Sequence, residues 1–460
     1  MVNPHIFREY DIRGLHEKDL TRDVVVLIGK AVGTYLLRNG ETSICVGRDV
    51  RTSSPRLHDN VVDGLASTGI HVYDVGEVPT PGLYFSIVHL KAGGGVQVTG
   101  SHNPVEYNGL KMCHGLAAIY GEQIQKLREL IERQDFEEGF GSVVPNNVLH
   151  EYEQDIRKRV EIKRPLKVVI DAGNGCASEI APHLFEGLGC EVVPLYCHID
   201  GTFPNHLPDP TVPKYLTDLI AKVKETKADF GIGYDGDADR IGAIDDKGRI
   251  VPGDRLLAIF ARDVLARVPR AQIIFDVKCS QALPEYIEKH GGVPVMWKTG
   301  HSLIKAKMKE MGAPVAGEMS GHIFFAEGFH GYDDAIYASA RLASIISRGK
   351  ESLAEIADSI PKFVSTPELR VTATDEDKFR IVQELVEHFK KDYTVIDIDG
   401  VRVLFGDGWG LVRASNTQPV LVMRFEARTE KRLKEIAEVI LSKVREYPSV
   451  DLKGLKLDVF

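Results

Sequence analysis

The hexapeptide Asp235–Arg240, with the sequence DGDADR, places three carboxylates at alternate positions, on Asp235, Asp237 and Asp239. Side chains at alternate positions of an extended loop point to the same side, so the three charges face one another. Two unit charges 4 Å apart repel by about 1 kcal/mol even in bulk water. A divalent cation removes this repulsion, and oxygen ligands alone favour Mg²⁺ or Ca²⁺ over zinc. The spacing therefore predicts a metal-binding loop at the end of an inner strand.

An exposed acidic turn is the alternative interpretation of this loop. An EF-hand fits poorly, because its loop needs glycine at position six, where Arg240 stands, and glutamate at position twelve, where Asp246 stands. A basic residue beside three carboxylates favours a different chemistry, in which Arg240 contacts the same phosphate that the metal polarises.

A serine stands in a second loop, residues 99–104, with the sequence TGSHNP. The loop is not a hydrolase elbow of the type G-x-S-x-G, because Asn103 occupies the second position after Ser101. The adjacent histidine does not make a catalytic triad either, since triad partners meet in space rather than in sequence. A serine on a rigid loop can carry a phosphoryl group covalently, and the metal loop offers the cation that such a carrier needs.

Two further polar loops could bind a sugar phosphate. Residues 317–322, GEMSGH, combine a carboxylate, a hydroxyl and an imidazole, which suit sugar hydroxyls that both donate and accept hydrogen bonds. Residues 413–419, RASNTQP, follow a predicted strand and offer a guanidinium, hydroxyls and backbone N–H groups to a phosphate. Taken singly, the first could be a glycine-rich turn with incidental polarity and the second a capped turn.

Three segments of the chain share one order of elements. Each begins with a β-branched run that reaches an acidic residue, continues into a segment of helical period, passes a glycine and ends in a second apolar strand. They span residues 43–76, 167–196 and 271–300, with acidic residues Asp49, Asp171 and Asp276 and glycines Gly69, Gly189 and Gly292. A β-α-β pattern with glycine where the helix must stop, repeated at this wide spacing, predicts three related α/β domains.

The C-terminal part has a different pattern. Residues 375–391 form an amphipathic helical segment, and residues 394–405 alternate around Asp399-Gly400, which is a hairpin signal. Two more apolar strands and a closing helix follow, so this part is predicted to be an α+β module. We therefore predict four domains, with limits at 1–148, 149–250, 251–364 and 365–460, which carry the serine, metal, sugar and phosphate loops in that order.

Composition narrows the classes of partner. The chain has 460 residues, 43% of them hydrophobic and 27% charged, and a formal net charge of -9 without a basic run. This balance argues against a broad nucleic-acid surface. Six cysteines show no zinc spacing, which predicts buried free thiols in a reducing compartment. We expect a cytoplasmic protein without a membrane partner, since no run approaches the roughly 18 apolar residues of a spanning helix.

The four loops together resemble the α-D-phosphohexomutase superfamily, and most closely its bacterial phosphomannomutase/phosphoglucomutase branch. TGSHNP, DGDADR, GEMSGH and RASNTQP occur in the family's order and spacing, and FDVKCS and WKTGHSLIK also match this branch. The resemblance runs from FREYDIRG near the start to RASNTQP near the end, so it covers nearly the whole chain. It implies three related mixed α/β domains and a C-terminal α+β domain around a central cleft, in agreement with the repeat.

The resemblance also implies roles for individual residues. Ser101 would be the phosphoserine, and Asp235, Asp237 and Asp239 would hold Mg²⁺ together with a phosphoserine oxygen. Sugar hydroxyls would be bound by Glu318 and Ser320, and the distal phosphate by Arg413, Ser415, Asn416 and Thr417. Further positions match cleft residues that contact substrate or assist proton transfer: Tyr10, Arg13, Lys111, Arg240, Lys278, His301 and His322.

The implied reaction interconverts hexose 1-phosphate and hexose 6-phosphate reversibly. Phosphoserine gives its phosphoryl group to one monophosphate, the resulting hexose 1,6-bisphosphate turns end for end, and the other phosphate returns to Ser101. The bisphosphate would also act as an activator. His322 is the first candidate for proton transfer because the usual pKa of histidine lies near working pH, with Lys111, Arg13 and Arg240 as alternatives.

Other functions remain open at this point. The loop GEMSGH resembles the mannose/glucose branch, whereas the glucosamine branch usually has glutamine in place of Met319. A metal-dependent sugar-phosphate phosphatase would use the same serine or a water molecule. A Ca²⁺- or sugar-phosphate-binding module without activity is the non-enzymatic alternative. Small-molecule sugar phosphates are the expected partners, and the resemblance is compatible with a monomer or a homodimer.

Overall fold

The first of four sheets belongs to the N-terminal part of the chain. The structure is a computed structural model that describes residues 2–416, 418–452 and 455. The first sheet and its helices comprise β1 (Ile12–Leu15), α1 (Arg22–Arg38), β2 (Ser43–Arg48), α2 (Ser54–Ala66), β3 (His71–Glu77), α3 (Thr80–Leu90), β4 (Gly94–Val98), β5 (Tyr107–His114), β6 (Ala117–Ala118), α4 (Glu122–Arg133) and β7 (Val143–Pro145). The strand order is β1-β5-β4-β2-β3-β7, with β6 paired to β5. Strands β2 and β4 are parallel neighbours, so the loops that follow them meet at one edge.

The second and third sheets are smaller and contain both parallel and antiparallel pairs. The second part comprises α5 (Leu149–Arg159), β8 (Lys167–Asp171), α6 (Ala177–Gly187), β9 (Glu191–Leu195), α7 (Thr217–Thr226), β10 (Phe230–Tyr234), β11 (Ile241–Asp245) and β12 (Ile250–Val251), in the strand order β12-β11-β10-β8-β9. The third comprises α8 (Gly253–Leu265), β13 (Gln272–Asp276), α9 (Ala282–Lys289), β14 (Val293–Trp297), α10 (His301–Met311), β15 (Val315–Gly317), β16 (Ile323–Phe325), α11 (Ala335–Arg348) and α12 (Leu353–Asp358), in the strand order β14-β13-β15-β16.

The fourth sheet is antiparallel at every named pairing. This part comprises β17 (Val364–Ser365), β18 (Leu369–Thr372), α13 (Asp377–Phe389), β19 (Thr394–Ile396), β20 (Val401–Leu404), β21 (Gly408–Ala414), β22 (Val420–Ala427) and α14 (Glu430–Val444). The strand order is β17-β22-β21-β20-β19, and β18 also pairs with β22. The predicted hairpin around Asp399-Gly400 is present as β19 and β20. Three α/β parts followed by an α+β part confirm the predicted fold class, whereas the exact domain limits stay a prediction.

The three predicted repeats each fold as a parallel β-α-β unit. The strand pairs β2–β3, β8–β9 and β13–β14 are all parallel. Gly69 and Gly189 have φ of +96° and +88°, as expected of residues that end a helix in the left-handed region. In the third repeat this conformation belongs to Gly291, at +78°, and not to the expected Gly292. Glycine is required at position 292 for a steric reason instead, because a Cβ there would lie 2.7 Å from a methyl group of Leu265.

The hydrophobic cores show which parts are joined. One cluster of buried side chains runs continuously through the first three parts, and the fourth part has a core of its own around β20, β21, β22 and α14. Helix α3 lies inside the shared core, with every residue from Thr80 to Ile87 buried. It therefore brings first-domain side chains into contact with the second and third domains. The six cysteines are free thiols, and five of them are buried.

Among the residues that the structure describes, no helix combines the length and the apolar character needed to cross a membrane.

A network of ion pairs joins α8 to α11 and supports a stability prediction. Asp263 lies 2.8, 3.0 and 2.6 Å from the guanidinium nitrogens of Arg267, Arg341 and Arg348. Burial opposes ionisation of Asp263, but these arginines outweigh it and lower its pKa to about 2. The carboxylate therefore contributes stability above its usual pKa, near 4, and the contribution is lost as the pH falls toward 2.

We expect Asp263→Asn to lower the free energy of unfolding by about 1–2 kcal/mol at pH 7. Urea denaturation of both proteins at pH 7, 4 and 3 measures the difference, which should shrink at the lowest pH. A difference that stays constant over this range would contradict the assignment.

Candidate active site

The four polar loops predicted from the sequence all follow strands or connect them. Residues 99–104 follow β4, and residues 235–240 connect β10 to β11. Residues 317–322 run from the last residue of β15 to the start of β16, and residues 413–419 run from the end of β21 to the start of β22. The first three come from three different sheets, so only packing of the domains can bring them together.

Ser101 meets the metal loop directly. Its side chain is only 2% exposed, and its Oγ donates a hydrogen bond of 2.7 Å to Oδ2 of Asp235. Nδ1 of His102 lies 3.0 Å from the same Oγ. Gly236 packs against this loop, because a Cβ at that position would lie 2.4 Å from the carbonyl oxygen of Ser101. The glycine within DGDADR thus permits the close approach of the two loops.

The three aspartates form a buried cluster suited to a cation. Asp235, Asp237 and Asp239 are fully buried, and one ligand atom of each lies within 4.8 Å of the others. Lys111 Nζ donates to Oδ2 of Asp237, at 2.7 Å, and to Oδ2 of Asp239. Within the part of the chain that the structure describes, Oδ1 of Asp237 and Oδ1 of Asp239 are buried without a hydrogen-bond partner. Two unsatisfied carboxylate oxygens beside a third carboxylate fit a hard divalent cation such as Mg²⁺.

The electrostatics of the cluster lead to the same conclusion. Burial raises the pKa of Asp235 well above its usual range, and the charges of Asp239 and Asp237 raise it further. Burial also opposes ionisation of Asp237, but Lys111 outweighs it and lowers the pKa of that carboxyl. One lysine therefore balances part of the negative charge, and the remainder favours a bound cation.

The metal loop is braced from both neighbouring domains. Thr80, at the start of α3, belongs to none of the predicted motifs. Its Oγ1 donates a hydrogen bond of 2.6 Å to Oδ2 of Asp237, and its N–H donates one of 2.9 Å to the Asp237 carbonyl. From the third domain, the N–H of Ala335 donates to the Ala238 carbonyl at 3.3 Å. Ala238 has a φ of +60°, a conformation that this bracing must hold in place.

His322 is held between Arg240 and an aspartate that the sequence analysis missed. Arg240 Nε donates to His322 Nε2 at 3.0 Å, so in the neutral ring the proton lies on Nδ1. That Nδ1 lies 3.1 Å from Oδ2 of Asp333, and Lys305 Nζ lies 3.0 Å from Oδ1 of the same carboxylate. Asp333 and Asp334 form an acidic pair directly before α11, and this pair was the available sequence signal.

The sugar loop lies beside Gly300 and His301, and His301 is another of the predicted site residues. Oε1 of Glu318 accepts a hydrogen bond of 2.6 Å from the N–H of Gly300, and burial raises the pKa of Glu318. The ring of His301 stacks on that of His322, with 5.4 Å between centroids. Ser320 is partly exposed in the same loop.

The phosphate loop is joined to the first and third domains by one tyrosine. The Tyr10 hydroxyl donates to the carbonyl of Thr299 at 2.9 Å and accepts from Asn416 Nδ2 at 2.8 Å. In the same loop Ser415 donates its N–H to the carbonyl of Val420 at 3.0 Å. Thr417, also predicted to bind phosphate, lies outside the described residues.

Three predicted basic residues are held by acidic partners. Lys278 Nζ lies 3.1 Å from Glu368, and the charge of this lysine lowers the pKa of the Glu368 carboxyl to about 2, although burial opposes it. Arg413 pairs with Asp399 at 3.1 Å. Arg13 pairs with Asp11 at 2.6 Å and also donates to Oδ1 of Asn103, at 2.9 Å, in the serine loop.

Comparison with known proteins decides the family. The alpha/beta/alpha domains I, II and III of phosphoglucomutase/phosphomannomutase match residues 4–138, 149–248 and 252–363, and the C-terminal domain of that family matches residues 368–443. The chain belongs to the phosphoglucomutase/phosphomannomutase family.

Curated relatives and a crystal structure agree with this membership. The phosphomannomutase/phosphoglucomutase of Pseudomonas aeruginosa is 50% identical over 441 residues, which are 96% of this chain and 95% of that protein. A phosphoglucomutase of Neisseria meningitidis is 45% identical over 450 residues, 97% of this chain and 98% of that protein. A phosphoglucomutase/phosphomannomutase family protein of Burkholderia thailandensis has a TM-score of 0.91 at 44% identity and covers 97% of this chain and 98% of its own.

Ser101 of this family member has a strained backbone, which leads to a second prediction. Its φ is +48°, in the left-handed region, where a Cβ costs roughly 1–2 kcal/mol. Ser101→Gly and Ser101→Ala both remove the hydroxyl, but only the glycine variant relieves this strain. We expect the glycine variant to be more stable by about 0.5–1 kcal/mol, after the greater entropy of unfolded glycine is subtracted.

Urea denaturation of the two variants side by side measures this difference. Equal stabilities, or a more stable alanine variant, would show that the loop holds residue 101 without strain.

Proposed function

We propose that the protein interconverts hexose 1-phosphates and hexose 6-phosphates reversibly, with mannose and glucose phosphates as substrates, through a phosphoserine at residue 101. The observation that carries the proposal is the hydrogen bond of 2.7 Å between Ser101 Oγ and Asp235, inside a buried cluster of three carboxylates. A hydroxyl in that position can accept and return a phosphoryl group beside a cation. Family membership and relatives of about half-identical sequence support the same reaction.

The metal that we propose is Mg²⁺, held by Asp235, Asp237, Asp239 and a phosphoserine oxygen. When bound, it supplies positive charge to the phosphoryl oxygens that transfer between serine and sugar.

The proposed reaction has two balanced transfers. In the first, the free hydroxyl of the hexose monophosphate attacks the phosphorus of phosphoserine and loses its proton to a base, while the bond between phosphorus and Ser101 Oγ breaks and this oxygen takes up a proton. The product is a hexose 1,6-bisphosphate, which turns end for end. In the second, the Ser101 hydroxyl attacks the phosphorus of the other phosphate and gives its proton to a base, while the bond between that phosphorus and the sugar oxygen breaks and the sugar oxygen takes a proton.

Two loops would hold the sugar in both orientations. Glu318 and Ser320 bind sugar hydroxyls, and the buried carboxyl of Glu318 can accept from a pair of them. The phosphate that is not reacting is bound by a set of basic and polar groups: Tyr10, Lys278, His301, Arg413, Ser415, Asn416 and Thr417. Since Tyr10 already contacts Asn416, the first and fourth domains can close on the substrate together and exclude water.

His322 is assigned as the base that takes the proton of the sugar hydroxyl. Arg13, Lys111 and Arg240 are assigned as groups that stabilise negative charge on the phosphoryl oxygens. Burial opposes the charge of Lys111, but Asp237 and Asp239 raise its pKa, so this lysine keeps its proton and acts as a donor. His322 Nε2 accepts from Arg240 in the present conformation. We propose that Arg240 turns toward a bound phosphate and frees this nitrogen to take the sugar proton.

Intact-mass measurement with peptide mapping of freshly purified protein tests the phosphoserine. We expect one phosphate of partial occupancy on Ser101, which excess hexose monophosphate removes. The absence of phosphate there after treatment with a sugar 1,6-bisphosphate would contradict the proposal.

Side-by-side kcat/KM values for mannose, glucose and glucosamine 1-phosphates test the substrate. Similar values for the first two are expected, and a preference for glucosamine 1-phosphate would assign the chain to another branch. The same assays should release almost no inorganic phosphate. Release at the rate of substrate consumption would instead favour a phosphatase.

A further inference from the structure

Arg51 lies beneath the loop that carries Ser101 and is one of the most buried arginines that the structure describes, at 1% exposure. It follows the end of β2 and precedes α2. Its guanidinium donates to a convergent set of backbone carbonyls of the loop: Nη2 to Ser101 at 2.8 Å and Asn103 at 2.5 Å, and Nη1 to Pro104 at 2.8 Å and Tyr107 at 3.1 Å. One side chain therefore binds the loop on both sides of its turn.

The geometry requires arginine in particular. Four carbonyl oxygens are bound through two nitrogens of one guanidinium, whereas the ammonium of lysine has three donors on a single atom. Gly100 makes room for this guanidinium, because a Cβ there would lie 2.4 Å from Arg51 Nε.

Asp49 also binds the serine loop, but it accepts hydrogen bonds from the loop where Arg51 donates them. Its Oδ2 accepts from the N–H of Gly100 at 3.0 Å and from Thr99 Oγ1 at 2.9 Å, and it lies 3.3 Å from Arg51 Nε. The aspartate thus binds donors of the loop while the arginine binds its acceptors. The two charges balance each other in a site with almost no solvent.

This support sets the direction of the Ser101 side chain. The Ser101 carbonyl is bound by Arg51, and its N–H donates to Thr99 Oγ1 at 2.8 Å. With both backbone groups bound, the residue is kept at a φ of +48° and its Oγ points toward Asp235. Without the guanidinium, four carbonyls would lose a charged donor and the loop could relax from the strained conformation.

The second domain covers Arg51 from the other side. The Phe203 ring lies 5.2 Å from the guanidinium carbon, and Gly201 packs so closely that a Cβ would lie 2.2 Å from the Val50 carbonyl. The ring face attracts the cation and excludes water from its hydrogen bonds. Arg51 thereby joins the serine loop to the domain that supplies the metal loop.

We propose that Arg51 is a positioning residue for phosphoryl transfer. By donating to the loop carbonyls it keeps the Ser101 side chain directed toward the metal loop, and it does not contact substrate. The proposal rests on the proposed phosphoserine mechanism. A displacement of the nucleophile by about 1 Å can cost roughly 100-fold in rate. Substrate binding depends on other loops and should not change.

The test compares Arg51→Lys with Arg56→Lys. Arg56, on α2, also donates to backbone carbonyls, those of Leu20 at 3.3 Å and His16 at 2.8 Å, but among the described residues it makes no hydrogen bond to the serine loop. For Arg51→Lys we expect kcat to fall roughly 100-fold while KM for glucose 1-phosphate stays within about threefold. Single-turnover phosphorylation of Ser101 by glucose 1,6-bisphosphate should slow by the same factor. Arg56→Lys should keep kcat within about twofold.

The outcomes separate this proposal from the function on which it rests. A wild-type protein without turnover or without phosphate on Ser101 would refute the function. An active wild type with an unchanged kcat in Arg51→Lys would overturn the positioning role alone, and so would equal losses in the two variants. If Arg51→Lys does not fold, the same measurements on Phe203→Leu, which removes the ring over the Arg51 guanidinium, test the positioning role. A several-fold fall of kcat at constant KM is expected there, and an unchanged kcat would overturn the proposal.

Discussion

Ser101→Ala is expected to lose the interconversion of glucose 1-phosphate and glucose 6-phosphate by a factor of roughly 10⁴ or more. The reason is that alanine offers no oxygen to accept and return the phosphoryl group, and the remaining groups can only bind substrate. A coupled assay of glucose 6-phosphate formation measures the loss. Intact-mass analysis of the same variant should show no phosphate after incubation with glucose 1,6-bisphosphate.

Ser86→Ala provides the matched control. Ser86 is another buried serine of the first domain, whose Oγ donates to the Leu83 carbonyl at 2.7 Å within α3. This variant should keep its turnover and its phosphate on Ser101. Substantial turnover in Ser101→Ala would mean that another residue, or water, takes the phosphoryl group.

Removal of the divalent cation is expected to have the second largest effect. A chelated protein should lose nearly all activity and regain it with Mg²⁺. It should also be less stable, because none of the described residues donates a hydrogen bond to the buried Oδ1 atoms of Asp237 and Asp239, which only the cation would then satisfy. At 100 times the dissociation constant, Mg²⁺ should stabilise the folded protein by about 2.7 kcal/mol, which raises the melting temperature by a few degrees.

Asp237→Asn and Asp263→Asn separate a metal effect from a general ionic effect. Both variants replace an aspartate that is paired with a basic side chain, but Asp237 is fully buried in the metal loop, whereas Asp263 is partly buried and lies in the α8–α11 ion pairs. Titration with Mg²⁺ should raise the melting temperature of the wild type and of Asp263→Asn, and much less that of Asp237→Asn. Equal responses of all three proteins would contradict the assignment of the metal loop.

Much of the fold could be predicted because its signals are local. The β-α-β repeats follow from apolar runs, helical periods and glycines within about 35 residues, and the hairpin signal around Asp399-Gly400 lies within residues 394–405. The third repeat shows the limit of such a signal. The sequence does not distinguish the adjacent Gly291 and Gly292 as the residue that ends the helix. In the structure Gly291 has the left-handed conformation, and Gly292 packs against Leu265.

The chemistry of the site was also partly local. Three carboxylates in DGDADR and a serine in TGSHNP predicted a metal and a nucleophile from residue types and spacing, and the structure places Ser101 Oγ against Asp235. What spacing does not contain is the partner of each buried polar group when that partner lies in another segment of the chain.

By itself, then, the amino-acid sequence determined the repeated α/β architecture, the antiparallel C-terminal module and the loops that carry functional groups. The tertiary structure alone decided that Thr80 binds Asp237, that Asp333 lies against His322, and that Arg51 binds the carbonyls around Ser101. The physical reason is that periodicity records which side of an element is buried, whereas a buried charge or hydroxyl is satisfied by whichever chain segment packs against it. These partners are 11 to 157 residues apart in sequence and 2.6–3.1 Å apart in space.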